Sequence, residues 1–197
     1  MDKGLVVSIQ GYSTHTTNEL ADKCINAGAV GIRTDKKIDI NKPLIALEKL
    51  EGKDYYITTS LESIKRCRWG DYVAIDSRRG NMELHILYAT CLLNGYEIIA
   101  DIENIRDVEN ILEMYLKKKH KLPAYFATTF SFLTNGHANI ELIKDIVSIT
   151  SVPIIAEGKY RDLIDVIKAR QNGASNICIG AEISDIEYLT EKFNKIC

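Results

Sequence analysis

Short apolar runs recur along the chain at residues 4–9, 29–32, 43–47, 72–75, 97–100, 124–127, 152–156 and 176–179. Each is almost continuously apolar and is bounded by Gly, Pro or polar residues, as a strand buried on both faces of a parallel sheet should be. Amphipathic stretches lie between most of them. Leu20, Cys24 and Ala27 keep helical spacing in the first, Ile140, Ile143, Val147 and Ser148 in another, and Leu163, Val166, Ile167 and Arg170 in a third. Residues three or four apart share one face of a helix, so these stretches predict helices packed on a sheet. Asn26-Ala27-Gly28, Asn94-Gly95 and Asn172-Gly173 supply left-handed helix stops.

Strand, helix, glycine and strand, repeated, is the grammar of an α/β protein. Eight strand candidates predict a closed (β/α)8 TIM barrel, compact because 197 residues lie at the lower limit of that fold, about 200. A doubly wound open sheet is the alternative. It is weakened by the lack of Gly-x-Gly-x-x-Gly after the first strand and of a Gly-x-x-x-x-Gly-Lys-Ser/Thr loop anywhere. Only residues 34–42 separate the second strand from the third, too few for a crossover helix, so the second crossover is expected to be eroded. Residues 55–58 read as a strand extension or a buried loop segment. No linker or composition shift divides the chain, which predicts one domain over residues 1–197.

Composition narrows the function classes. Hydrophobic residues at 46% and charged residues at 26% suit a chain that buries a core, and exclude a mainly disordered one. The 25 basic and 27 acidic residues leave a net charge of −2, with no cationic surplus for a nucleic-acid partner. No apolar run reaches the roughly 20 residues that span a bilayer, and Met1-Asp2-Lys3-Gly4 opens no signal-peptide pattern. Five widely spaced cysteines without a Cys-x-x-Cys read as free thiols in a reducing compartment, so a cytoplasmic location is expected. His15, His85, His120 and His137 hold no metal-ligand spacing. Neither a metal nor a cofactor is expected.

In parallel barrels chemistry gathers at the C-terminal ends of the strands, where the following loops ring the mouth. Gln10, Arg33, Lys49, Asp76, Asp101, Thr128 with Thr129, Glu157 with Gly158, and Gly180-Ala181 stand at those ends in strand order. Counting by twos, Ile45, Leu47 and Lys49 share a face of the third strand, and Ile155 and Glu157 a face of the seventh. A lysine and a glutamate at opposing strand ends could flank one small molecule. Each alone reads more simply as a solvated loop charge; the whole set on one rim does not. Asp76-Ser77-Arg78-Arg79 either offers two guanidiniums to an anion or decorates a loop.

These segments carry a family resemblance. Lys3-Gly4-Leu5-Val6-Val7-Ser8-Ile9-Gln10, Gly28-Ala29-Val30-Gly31-Ile32-Arg33, Pro43-Leu44-Ile45-Ala46-Leu47-Glu48-Lys49, Ala74-Ile75-Asp76, Ile99-Ala100-Asp101-Ile102 and Ile154-Ile155-Ala156-Glu157-Gly158 run in order. Together they resemble the N-acetylmannosamine-6-phosphate 2-epimerases, of which this chain would be a diverged, shortened member. The resemblance implies a (β/α)8 barrel and cofactor-independent interconversion of N-acetylmannosamine 6-phosphate and N-acetylglucosamine 6-phosphate, a step of sialic acid catabolism. It implies that Lys49 and Glu157 exchange protons at C2, that Gln10, Arg33 and Asp101 hold the sugar, and that Gly158, Gly180 and Ala181 receive the phosphate. It also suggests a homodimer formed through the C-terminal helix.

The chain departs from the family pattern in its loops. Residues 11–17 replace a longer segment, and the family's Gly-Gly-Ala-Ile-Thr-Arg-Pro reads here Gly180-Ala181-Glu182-Ile183-Ser184-Asp185-Ile186. Asp185 stands in place of a phosphate-binding arginine and Glu182 adds a second carboxylate, unfavourable beside a dianion. Two other readings follow: a non-catalytic barrel binding a sugar, an anion or a protein partner, and an isomerase or Schiff-base aldolase with Lys49 as nucleophile.

Overall fold

The computed structural model describes residues 1–47, 61–78, 81–118, 121–129, 137–185 and 190. The strands are β1 (Gly4–Ile9), β2 (Gly31–Thr34), β3 (Leu44–Ala46), β4 (Tyr72–Asp76), β5 (Glu97–Ile102), β6 (Tyr125–Thr128), β7 (Ile154–Ala156) and β8 (Asn176–Ile179). Every neighbouring pair is parallel, and β1 pairs with β8 through Gly4↔Asn176 to Val7↔Ile179, which closes the barrel. The helices are α1 (Thr14–Asn26), α2 (Leu61–Arg66), α3 (Asn81–Leu93), α4 (Ile105–Lys118), α5 (Ile140–Ile149), α6 (Leu163–Gln171) and the short α7 (Ala181–Ser184). The predicted (β/α)8 barrel is therefore the observed fold. Residues 55–58 lie outside the described residues.

The strands are apolar on both faces because each divides two cores. The inward face packs Val6, Ile45, Leu47, Ala74, Ile99, Tyr125, Ala127, Ile155 and Cys178 into the lumen. Tyr72 and Tyr125 meet edge to face at its floor, ring centroids 5.8 Å apart. Outward-facing residues such as Val73, Ile75, Ile98, Ala100, Phe126 and Ile177 pack with α3, α4 and α5.

The second crossover carries no helix: between β2 and β3 the chain runs as bends and irregular backbone. Ile38, buried, and Ile40, half-buried, pack with Ile32, Leu44 and Val7 where a helix would otherwise cover the strands. Gly28, Gly95 and Gly173 take φ of +104°, +75° and +105° and stop α1, α3 and α6 as expected. Ser13, Asn139 and Asp162 accept a backbone N–H at the start of α1, α5 and α6, a capping bond the apolar pattern alone does not reveal.

The helices form where predicted, but some faces differ. In α5 the buried residues are Leu142, Ile143 and Ile146, while Val147 is exposed. In α6 only Ala169 is buried, and Leu163, Ile164 and Ile167 are exposed. In α1 the buried positions are Thr17 and Ala21; Ala27 is the exposed C-cap. The residues that α1 and α6 bury are small, and the bulky Leu163, Ile164 and Ile167 of α6 are left on the outside. Among the described residues no helix is long and apolar enough to cross a membrane.

Candidate active site

Inward-facing positions alternate along each strand, so the last inward residues of β2 and β5, and the residue that follows β7 two beyond the inward Ile155, project into the mouth above the apolar lumen. Those residues are Arg33, Asp101 and Glu157. The structure brings the three together. Arg33 Nη1 donates to Asp101 Oδ1 at 3.2 Å and Nη2 to Oδ2 at 2.7 Å, a bidentate pair with side chains 3% and 2% exposed. Arg33 Nη1 also lies 2.9 Å from Glu157 Oε2, an ion-pair contact without hydrogen-bond alignment. One guanidinium thus serves two carboxylates over an apolar floor.

The electrostatic outcome differs for each member. Burial works against the Arg33 charge, but Asp101 and Glu157 outweigh it and hold the guanidinium more firmly protonated than usual. Glu157 is less compensated. Burial raises its carboxyl to about 7, against the opposing pull of Arg33 and with a further push from Asp101; the Cys178 thiol lowers it by hydrogen bonding. Its side chain is 19% exposed, open to the mouth. A carboxyl that exchanges its proton near neutrality, beside a permanent cation, is suited to acid–base work.

The backbone under Glu157 is fixed from β6. Thr128 Oγ1 accepts from the Glu157 N–H at 2.9 Å and donates to the Glu157 carbonyl at 2.8 Å. Immediately beyond, Gly158 and Lys159 both lie in the left-handed region, φ 90° and 65°, turning the chain sharply off the strand. For Lys159 that conformation costs on the order of 1 kcal/mol, a strain of the kind concentrated at functional sites.

Other predicted residues are at the mouth but outside this cluster. Gln10 ends β1 with its amide donating to Ser8 Oγ at 2.5 Å. Gly180 and Ala181 open α7, and Gly180 faces Ser8 across the β1–β8 seam. Tyr12 donates to the Ser184 carbonyl at 2.5 Å and Ser184 Oγ to the Ser8 carbonyl at 3.1 Å, which ties the first loop to the eighth. Lys49 lies outside the described residues. Arg78 turns back on its own loop: Nε donates to Asp76 Oδ1 at 2.8 Å, and Nη1 is 3.6 Å from Glu103. Arg79 lies outside the described residues.

The two carboxylates of the eighth loop have defined surroundings. Glu182 Oε1 is 3.6 Å from Arg161 Nε, and its charge also acts on Lys159. Asp185 closes α7 near Tyr12, whose hydroxyl is raised by burial first and by the Asp185 charge second. The seventh loop therefore sets two cations against Glu182, a compensation that strand-end reading did not include. Among the described residues no group of three or more His, Cys, Asp and Glu side chains is placed to hold a metal ion. Cys178 was also missed as part of the site, because a lone apolar-flanked cysteine in a strand carries no signal of its own.

Comparison with known proteins extends the resemblance over nearly the whole chain. No family model matches. A protein of Clostridioides difficile named as a candidate N-acetylmannosamine-6-phosphate 2-epimerase is 27% identical, with 97% of this chain and 94% of that one aligned. The solved structure of the N-acetylmannosamine-6-phosphate 2-epimerase from Clostridium perfringens superposes with a TM-score of 0.79 at 23% identity, covering 98% of this chain and 93% of that one. A 3-hexulose-6-phosphate synthase structure superposes at a TM-score of 0.64 and 14% identity, covering 90% and 89%. The two structures share the barrel with this chain.

Proposed function

We propose, from the full-length likeness to N-acetylmannosamine-6-phosphate 2-epimerases and from the chemistry of the barrel mouth, that this chain is a carbohydrate epimerase. Its substrates would be N-acetylmannosamine 6-phosphate and N-acetylglucosamine 6-phosphate, interconverted without a cofactor by proton transfer at C2. The observation that carries this reading is the Glu157 carboxyl, raised to about 7 and facing a guanidinium that cannot lose its charge.

C2 of the open-chain sugar bears a hydrogen next to the C1 carbonyl. Inversion there requires one group to remove that proton and a second group to deliver a proton to the opposite face. The electron pair of the broken C–H bond moves onto the C1 oxygen in between and returns when the new bond forms, so the step consumes no oxidant or reductant. Glu157 would serve one face. Lys49, two residues beyond the lumen residue Leu47, would serve the other on the strength of sequence alternation. A lysine titrates near 10.4 in water, so this role needs its proton affinity lowered, as burial near the Arg33 cation would do. Arg33 would also stabilise the negative oxygen of the enolate.

Gln10 and Asp101 would complete the sugar site, Asp101 chiefly by orienting Arg33. The phosphate would be received at Gly158, Gly180 and Ala181. The nearby Lys159 and Arg161 charges support that placement against Glu182.

The test is proton NMR in heavy water with each amino sugar, phosphorylated and free. Deuterium should enter at C2 of the phosphorylated sugars as the epimers equilibrate. Lys49→Ala and Glu157→Gln should each lose exchange by at least about a hundredfold, the scale of a general acid–base group. Wild-type exchange in both folded variants would dismiss the mechanism, and binding without exchange in the wild type would dismiss the enzyme.

A further inference from the structure

Glu157 lies past the last ladder pair of its strand. On one side β7 pairs with β6 as far as Ala127↔Ile155, and on the other with β8 as far as Ala156↔Ile177. The backbone of the next residue, Glu157, is met by a side chain. Thr128 Oγ1 accepts from its N–H at 2.9 Å and donates to its carbonyl at 2.8 Å. Those two groups belong to the peptide planes before and after Glu157, so one oxygen holds both planes and with them the direction of the Cα–Cβ bond between.

Thr128 is itself held from the opposite side. β5 pairs with β6 through to Ile102↔Thr128, and the Thr129 N–H continues that ladder by donating to the Ile102 carbonyl at 2.8 Å. The neighbouring residue of β5, Asp101, is the one that grips Arg33. Through Thr128, Glu157 is therefore tied to the same strand end that aims the guanidinium, and its carboxylate meets Arg33 Nη1 at 2.9 Å. Thr128 acts from outside the mouth. Tyr125 and Ala127 face the lumen while Phe126 faces the helices, so Thr128 alternates outward, and it is fully buried behind the sheet.

We propose that Thr128 is a positioning residue, its hydroxyl setting the backbone of Glu157 so that the carboxyl is presented at the mouth in a fixed relation to Arg33. This rests on the acid–base reading of Glu157. A hydroxyl suits the task because a single atom both donates and accepts, as the N–H and C=O of one residue require. Threonine suits it better than serine because its branched Cβ stiffens χ1 and keeps that oxygen in place.

The test is C2 exchange in heavy water with N-acetylmannosamine 6-phosphate, over a range of substrate concentrations and below each variant's melting temperature. Thr128→Val keeps the shape and removes the hydroxyl. Its turnover should fall about tenfold to a hundredfold, the cost of a displaced catalytic group, with KM within about twofold of wild type. Thr128→Ser, which keeps the hydroxyl, should restore turnover to within about threefold. Thr128→Cys, whose thiol donates and accepts weakly, should fall between, and it decides the matter if the Val variant does not fold. A hydroxyl that served stability alone would lower the melting temperature of the Val variant and leave turnover of the folded chain at the wild-type value, which would overturn the positioning role. So would a Ser variant as slow as the Val variant, a Cys variant as fast as wild type, or a loss carried by KM alone. If Glu157→Gln retains exchange, the Glu157 assignment fails instead, whatever Thr128 does; if that variant is inactive while Thr128→Val turns over as wild type, only the positioning role fails.

Discussion

Replacing Asp101 with asparagine removes one charge from the Arg33 cluster while keeping its shape. Asp101 and Arg33 are 2% and 3% exposed and joined by two hydrogen bonds, so water screens little of their attraction. Breaking a buried pair from one side generally costs about 3–5 kcal/mol, because a buried charge loses its partner. Here Arg33 keeps Glu157 at 2.9 Å and can still donate to the asparagine oxygen, which brings the loss to just below that range, about 2–3 kcal/mol. For a chain of this size that corresponds to a melting temperature roughly 5–10 °C lower. The same change has a chemical signature. The Asp101 charge raises the Glu157 carboxyl, and removing it also leaves Arg33 for Glu157 alone, so the Glu157 midpoint should fall below its value of about 7. Urea unfolding at neutral pH measures the first effect and the acid limb of C2 exchange the second. A loss under about 0.5 kcal/mol, the size of an exposed pair, would refute a buried shared guanidinium, and so would an unmoved limb in a stable variant.

Two further outcomes follow from other sites. Glu157 has its folded-state carboxyl at about 7 against an ordinary 4.5, so between those values the folded chain binds more protons than the unfolded one. Stability from this group is therefore complete below about pH 4.5 and declines as pH rises through about 7. Glu157→Gln should flatten that decline in urea titrations, and an unchanged pH dependence would contradict the burial of the carboxyl. At Gly70, a methyl group would sit 2.6 Å from Ala46 Cβ and 2.9 Å from the Tyr72 carbonyl, both on fixed strands. Gly70→Ala should cost about 1–3 kcal/mol by overpacking, measured by thermal melting, and a melting temperature equal to wild type would show that the β3–β4 corner yields.

The barrel and its rim were legible in the sequence because both depend on local pattern. A strand buried on two faces is a short unbroken apolar run, and the residue ending it is polar because it meets the mouth. That is why Arg33, Asp101 and Glu157 could be placed at strand ends from order alone. Their union was not legible. Arg33 and Asp101 are 68 residues apart and meet only because the sheet closes, and no spacing rule encodes which rim residues the barrel's stagger brings within 3 Å. Helix faces failed for a different reason. Periodicity marks a repeat but not which stripe is buried, and in α6 the small Ala169 packs inward while Leu163 and Ile167 remain outside.

The arrangement also bears on why the loops could diverge while the chemistry stayed possible. The charges that tune Glu157 come from β2 and β5, whose place in a closed sheet leaves them little freedom. The groups proposed to receive the phosphate come from the loops after β7 and β8, where Arg161 answers Glu182 and a left-handed Lys159 shapes the turn. Under the proposed function, changes in those loops would alter which anion is held, and how tightly, without moving the carboxyl. On this division of labour, the Glu182 and Asp185 departures should register in the KM for the phosphorylated sugar. The rate and pH dependence of exchange at saturation should follow the strand residues alone. A Glu182 substitution that left KM unchanged but shifted the pH limb would mean that loop and strand charges act as one field, and the separation drawn between them would be lost.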